Sequence, residues 1–350
     1  MSLSRPTWAF LLAPVFLLAL SHLACAQTAA AQTAPANETA AISDNDTHEG
    51  RWIRSIESDL ISEKFDDLER MANEYRREKS RLPGGDWRLR IFYSALDAPQ
   101  QTDKDTLDHL AHLEHWMKLH PESITARIAL ATSLHRWAWV ARGNGLASTV
   151  TPEGWRLFNE RINEAQVVLE GSANMPVMCP QWYSEMMTVG LAQGWNAKRV
   201  QENFERGTQF EPGYFYLYRQ YANYLLPKWY GHTGEATAFA KSSADHVGGD
   251  SGDLLYFQIA NVIIKRGNGP DLPLDQMDWQ RIQRGYQILT TQYGGDRRTK
   301  NELALMAYMY RDVNVSRQQF ALIGDDWAPG VWRDRKFFDR ARDWAQNPTS

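Results

Sequence analysis

Three short stretches of this sequence carry residue types that could perform chemistry. The first is GGDSGD at 248–253, because Gly-Asp-Ser-Gly surrounds the nucleophilic serine of chymotrypsin-like proteases, and His232 and His246 lie nearby. That chemistry requires a two-barrel β-fold in which the base and its orienting aspartate come from distant segments. Apolar helical sequence flanks the string here, so we interpret Ser251 or Asp250 as the N-cap of the following helix.

The second stretch, HLAHLEHWMKLH, contains four histidines: His109, His112, His115 and His120. On a helix His109 and His112 are neighbours, and two such imidazoles with an aspartate nearby could begin a metal site. The apolar stripe of the same helix faces away from them, and the sequence has no H-E-x-x-H motif. We predict a solvated polar face, with this histidine pair as a weak metal candidate and no cofactor.

The third candidate is the acidic pair Glu160 and Glu164, four residues apart on a predicted helix. A glycosidase needs two carboxylates at a set separation across a cleft, which sequence spacing cannot show. Arg156 and Arg161 can pair with these acids as surface ions. The sequence also has no phosphate loop, dinucleotide fingerprint or nucleophile elbow. We therefore predict no catalytic residue, and noncatalytic function is the preferred interpretation.

The stretch LLPKWYGHTGEATAFA, residues 225–240, raises a different choice. A helix is predicted from Tyr214 to Leu226, and Pro227 prevents it from continuing. The residues beyond can fold back over the joint, which favours a packed helix-to-helix corner; the alternative is an aromatic corner that faces a ligand. The residues concerned, as binding or structural candidates, are Trp229, Tyr230, Gly231, Tyr218 and Tyr221.

The elements that must position these residues are predicted to be helices throughout. Apolar residues recur at three-to-four spacing, as at Ile56 and Leu60, and no stretch shows sustained period-two alternation, so no strand is predicted. Phe204, Gly207 and Pro212 stand where a tetratricopeptide repeat has its bulky residue, its small residue and its helix-ending proline. We predict an all-α, tetratricopeptide-like α-solenoid of degenerate helical hairpins.

Composition excludes one class of partner. The chain has 350 residues, of which 43% are hydrophobic and 23% charged, with a formal net charge of -4. A nucleic-acid binder needs a basic face to displace counterions, so we expect no nucleic-acid partner. Only two cysteines occur, Cys25 and Cys179, which rules out a disulfide framework or a four-cysteine zinc site.

The N-terminus is typical of a secretory signal. Arg5 precedes the apolar run AFLLAPVFLLALSHLA, and Ala24-Cys25-Ala26 fits the small-x-small cleavage pattern. We predict a signal peptide at 1–26, a disordered spacer at 27–48 and a helical-repeat domain at 49–345, in the periplasm or secreted. The mature chain is expected to have no transmembrane segment.

Two alternatives to cleavage stay open. The apolar run could be a membrane anchor, although Pro14 and Ser21-His22 interrupt it and a spanning helix needs about 20 apolar residues. Cys25 could carry a lipid anchor, although His22 stands where bacterial lipoproteins usually have leucine.

Long motifs give the chain a resemblance to an uncharacterised bacterial family, "domain of unknown function four-zero-three-four". The resemblance covers roughly 65–325. The motifs that carry it are FDDLERMANEYRREKSRLPGGDWRLRIFY, HPESITARIALATSLHRWAWVARGNG, PQWYSEMMTVGLAQGW, FEPGYFYLYRQYANYLLPKWYG, GGDSGDLLYFQIA and YGGDRRTKNELALMAYMYRDVNVSRQQFALIG. It implies an exported or cell-envelope helical-repeat protein and supplies no catalytic residue.

Two functions follow from the sequence. The leading one is noncatalytic: a helical surface in the bacterial cell envelope that binds a protein or peptide partner. The alternative is a glycan or cell-wall binding or hydrolysing protein that uses surface tryptophans and carboxylates. The orientation of five tryptophans distinguishes the two functions: Trp137, Trp139, Trp182, Trp195 and Trp229. Rings lined along one groove would favour a sugar ligand, and rings interlocked between helices would favour a packing role.

We predict that the precursor is cut after Ala26, because Ala24 and Ala26 are the small residues that the peptidase requires. N-terminal sequencing of the exported protein should begin at Gln27. A product that begins at an acylated Cys25 would instead establish a lipoprotein.

Overall fold

The computed structural model describes residues 48–97, 102–267 and 272–348. The predicted signal peptide and nearly all of the predicted spacer therefore lie outside the described residues. Fifteen α-helices and no β-strand occur in the described ranges: α1 (His48–Ile61), α2 (Phe65–Glu78), α3 (Arg88–Leu96), α4 (Asp103–Leu119), α5 (Ile124–Arg142), α6 (Pro152–Glu170), α7 (Pro180–Gln193), α8 (Ala197–Phe210), α9 (Tyr216–Tyr224), α10 (Glu235–Val247), α11 (Gly249–Arg266), α12 (Trp279–Tyr293), α13 (Arg297–Met309), α14 (Val313–Ile323) and α15 (Arg335–Gln346).

The helices form two layers. Each odd-numbered helix from α1 to α13 packs against the next odd-numbered helix, so that these helices make a continuous inner row. The even-numbered helices pack mainly against the odd-numbered helices that flank them and form the outer layer. Each hairpin thus buries its apolar side on its neighbours. The prediction of an all-α helical-repeat fold is confirmed.

The sequence of each helix explains its layer. In α11 every residue from Leu254 to Ile264 is buried, because the helix is apolar on all sides. In α2 the buried residues form one stripe: Phe65, Leu68, Ala72 and Tyr75. A helix that is apolar on all sides must be enclosed by other helices. A helix with a single apolar stripe can pack that stripe on the inner row and leave its other faces in solvent.

Local signals set the helix ends. The Gly154 amide donates to Thr151 Oγ1 at 3.0 Å, with Pro152 at the first helical position of α6. Gly207 in α8 lies against α7, and a Cβ there would be 2.9 Å from Tyr183 Cβ. The small residue of the repeat pattern therefore permits the close approach of two helices.

One buried carboxylate joins distant parts of the inner row. Asp86, in the loop between α2 and α3, lies 2.7 Å from an Arg219 nitrogen on α9 and 2.7 Å from an Arg298 nitrogen on α13. Arg90 on α3 is 3.5 Å away. The side chain of Asp86 is only 9% exposed, so these are ion pairs with little solvent screening. Because α3, α9 and α13 meet at one residue, the row of helices curls back on itself.

Hydrogen bonds fix the same loop on both sides. The Arg81 guanidinium donates to Gly85 O and Gly213 O, each at 2.9 Å. It lies over three aromatic rings, those of Trp87, Phe215 and Tyr293, at 5.3 to 5.5 Å. The Gly84 amide donates to Gly294 O at 2.9 Å, at the end of α12. The loop thereby connects the N-terminal hairpins to the C-terminal ones.

We predict that Asp86→Asn lowers the free energy of unfolding by about 3–5 kcal/mol, because it leaves three arginines without their shared counter-charge. Asp325 is the matched control: it also pairs with two arginines, Arg335 and Arg342, but its side chain is 81% exposed. Chemical denaturation of Asp325→Asn should match that of the wild type. Equal stability of the two variants would show that Asp86 does not hold the row together.

Candidate functional site

A groove of about 850 Å³ opens between α8, α9, α10 and the first turn of α11. Its floor is aromatic, formed by Phe204, Phe215, Tyr218 and Phe239. The walls are small or polar: Glu205, Thr208, Gln209, Pro212, Gly213, Ser242, Ser243, His246, Val247 and Ser251. Three cavities around Asp86 measure about 30 Å³ or less, room for about one water each. Of these openings, only the groove has the size of a ligand site.

The aromatic floor is a rigid cluster. The Phe204 ring stacks on Tyr221 at 4.6 Å and meets Tyr218 edge to face at 5.2 Å. Phe239 meets Phe204 at 5.5 Å and Tyr221 at 5.1 Å, both edge to face. Such pairs contribute beyond the area that they bury. The floor is therefore preformed.

The structure separates the two predicted tyrosines. Tyr218 lines the groove, whereas Tyr221 is one layer deeper, stacked beneath Phe204. Burial raises the pKa of Tyr221 to about 12, and the nearby carboxylates of Glu235 and Glu205 add to the rise. The Glu205 carboxylate at the groove and the Glu235 carboxylate at the start of α10 therefore both lie near the Tyr221 hydroxyl.

The rim offers hydrogen-bonding groups that the fold does not use. Gln209, Ser243, His246 and Ser251 make no side-chain hydrogen bond within the described part of the chain. Ser243 is the most enclosed of them, with a relative exposure of 7%. These groups are therefore available to donate or accept hydrogen bonds from a ligand in the groove.

The Gly-Asp-Ser-Gly string begins α11 and forms one end of the groove. The predicted side-chain cap is wrong: Gly248 occupies the N-cap position with φ 70°, and neither Ser251 nor Asp250 caps the helix. His246 and Ser251 both line the groove, but no hydrogen bond joins them within the described residues, and no carboxylate orients the imidazole. This arrangement lacks the relay that activates a serine nucleophile.

Of the stretch 225–240 only Phe239 lines the groove, and the corner itself, residues 225–235, lies outside it. The helix α9 ends at Tyr224, two residues earlier than predicted, and α10 begins at Glu235. The Trp229 ring is half-buried and packs edge to face on Trp139, with 5.9 Å between centroids. A Cβ at Gly231 would lie 1.9 Å from Leu225 O, so only glycine fits there.

Tyr230 completes this corner. Its hydroxyl donates to Leu191 O at 3.0 Å, and its ring stacks on Tyr224 at 5.1 Å. Of the five residues singled out from the sequence, Trp229, Tyr230 and Gly231 therefore hold a joint between helices. Only Tyr218 faces the groove.

The two candidate histidines point to different partners. His109 Nε2 lies 3.2 Å from Ser133 Oγ, and burial lowers the pKa of His109 to about 4. His112 Nδ1 lies 3.1 Å from a Glu63 oxygen instead. The predicted solvated face is thus wrong for His109, which is half-buried because α5 covers it. Within the described ranges, no group of three or more histidines, cysteines, aspartates or glutamates could hold a metal ion.

The acidic pair also separates. Arg156 binds Glu160 at 2.7 Å and Glu153 at 2.6 Å on the exposed face of α6, which is the surface pairing that the sequence predicted. Arg161 does not join it. Its guanidinium lies 3.3 Å above the Trp137 ring and donates to Trp137 O, because the indole offers a flat apolar surface.

The five tryptophans whose orientation distinguishes a peptide-binding from a glycan-binding protein lie between helices. Trp139, Trp182 and Trp195 are buried, and the Trp182 indole donates to Leu169 O at 2.9 Å. Trp137 and Trp229 are half-buried. None of the five lines the groove.

A second polar network runs through the inner row but has no opening. The Tyr214 hydroxyl donates to Gln181, and Gln181 donates to Glu185 at 2.9 Å. A Glu185 oxygen lies 3.3 Å from His135 Nδ1. Because Tyr214, Gln181 and Glu185 are all at most 4% exposed, the network joins α5, α7 and the loop before α9 rather than meeting a ligand.

Sequence analysis did not identify most of the residues that form the walls of the groove. The available signal was the row Ser242, Ser243 and His246 on an alanine-rich helix, opposite Thr208 on α8. Small side chains at facing positions leave space between two helices, but this is visible only once the helices are paired.

The sequence matches no family model, no curated protein and no solved structure. No helix in the described part of the chain is both long and apolar enough to cross a bilayer.

We predict that Trp229→Ala lowers the free energy of unfolding by about 3 kcal/mol, since it removes the half-buried indole from the joint with Trp139. His232→Ala, three residues away on an exposed side chain, should leave it unchanged. Thermal and urea unfolding of both variants would check this. Full stability of Trp229→Ala would contradict the structural role of the corner.

Proposed function

We propose that this protein is an exported, noncatalytic helical-repeat protein of the bacterial cell envelope that binds an extended peptide segment of a partner protein. The observation that carries the proposal is the open groove between α8 and α10, with its preformed aromatic floor and unused polar rim. Export rests on the N-terminal sequence, and the family resemblance supports the same compartment.

The chemistry of the groove suits a peptide. Aromatic rings such as Tyr218 and Phe239 give apolar side chains a surface to pack on, while Gln209, Ser243 and Ser251 can hydrogen-bond a peptide backbone. A floor fixed by ring-to-ring packing needs little ordering when a ligand binds. Helical-repeat stacks commonly present such extended surfaces.

The glycan alternative is less well supported. Sugar rings stack on exposed aromatic faces, and the sequence offered tryptophans for that role. The fourteen residues that line the groove include no tryptophan and only one carboxylate, Glu205. Hydrolysis by a carboxylate pair would need a second acid across the same groove.

We predict that Ser242→Trp abolishes peptide binding, because an indole on this wall fills the space between α10 and α8. The measurement is selection of random heptapeptides on phage against the wild-type protein, followed by fluorescence anisotropy with the selected peptides. Lys241→Trp is the matched control, since Lys241 is exposed on the same helix but does not line the groove.

Selected peptides should lose binding to Ser242→Trp by at least tenfold and keep it with Lys241→Trp. Thermal melts of both variants verify that each is folded. Failure of the wild type to enrich any peptide, or equal binding by both variants, would refute the groove as a peptide site.

A further inference from the structure

The residues that line the groove carry negative formal charge and no positive formal charge. Among its fourteen lining residues there is no lysine or arginine, and Glu205 carries the only formal charge at neutral pH when His246 is neutral. Arg206 follows Glu205 in the chain but does not line the groove. Lys241, the nearest lysine on α10, is engaged with Asp245 at 2.6 Å. A ligand in the groove therefore meets the Glu205 carboxylate and no basic side chain among the lining residues.

Further carboxylates extend this negative potential. Glu235 begins α10 and acts together with Glu205 on the Tyr221 hydroxyl beneath the floor. Asp250 lies exposed in the first turn of α11, beside Ser251. The acids Asp245 and Asp253 are neutralised by arginines and lysine outside the groove. Glu205 is thus the carboxylate in the groove lining, while Glu235 and Asp250 lie in the first turns of the neighbouring helices α10 and α11.

The floor also differs from the other aromatic surfaces of this protein. Elsewhere arginines and lysines cover many rings, as Arg161 covers Trp137 and Arg199 covers Trp195, each at 3.3 Å. In the groove Phe215 has such a partner, Arg81 at 5.4 Å on its inner side. Across the described residues, no cation lies over Phe204, Tyr218 or Phe239.

We propose that the groove selects peptides that carry a lysine or arginine next to an apolar residue. The methylene stem of the basic side chain packs on Phe239 and Tyr218, and its charged head binds the Glu205 carboxylate. The apolar neighbour occupies the rest of the aromatic floor. This inference rests on the proposed peptide-binding function and adds the charge of the partner segment.

The test extends the selection of random heptapeptides on phage. Enriched sequences should contain lysine or arginine beside an aromatic or aliphatic residue. The best peptide is then synthesised with a fluorescein label, and its dissociation constant is measured with wild-type protein, Glu205→Gln and Glu202→Gln. Glu202 is the matched control, an exposed acid on α8 that does not line the groove.

Glu205→Gln should weaken binding about three- to fivefold, which is the range for a partly exposed ion pair, and Glu202→Gln should leave it unchanged. Raising the ionic strength should weaken binding to the wild type and have less effect on Glu205→Gln. Glu205→Lys should reverse the preference, so that the same peptide with glutamate in place of its basic residue binds more tightly.

Two outcomes would overturn the inference. Enriched peptides that are neutral or acidic, yet are still blocked by Ser242→Trp, would leave the peptide-binding function standing and refute the basic partner. Basic peptides that bind Glu205→Gln and the wild type with equal affinity would also refute the role of Glu205 and leave the peptide-binding function standing. If no peptide is enriched, both the function and the inference fail together.

Discussion

The structure depends on the shared ion pairs of Asp86. Three guanidinium groups, from Arg90, Arg219 and Arg298, lie at one enclosed carboxylate, and burying them without it would be costly. Arg298 also meets Glu302 at 3.2 Å, so the excess positive charge is shared with a second buried acid. Ion pairs of this kind hold only if the backbones that carry them are fixed, and so they determine how α3, α9 and α13 are placed.

Gly213 connects the groove to the loop that carries Asp86. Gly213 lines the groove, and its carbonyl accepts hydrogen bonds from Arg81 at 2.9 Å and from the Trp87 indole at 3.1 Å. Arg81 also lies over the ring of Phe215, the neighbouring part of the floor. The loop that holds Asp86 therefore supports the floor from behind, and the binding surface and the closed row of helices share one support.

Local sequence patterns predicted the helices well and the site poorly. Three-to-four spacing, as at Ile56 and Leu60, predicted helices because this signal acts within a few residues. The string Pro-Gly-Gly-Asp around Asp86 is locally typical of a turn, and nothing in it points to partners that lie up to 212 residues away. The space between Thr208 and Ser242 depends in the same way on how two separate helices are paired, so neither feature follows from its own stretch of sequence.

Closure through Arg298 changes how the chain must fold. In an open helical array each hairpin contacts only its neighbours, and structure can spread from any point. Here the Asp86 loop cannot complete its contacts until α13 is present, so these contacts join segments far apart in sequence and carry an entropic cost of loop closure. In the export that we propose, these contacts would form only after nearly the whole chain has emerged from the membrane.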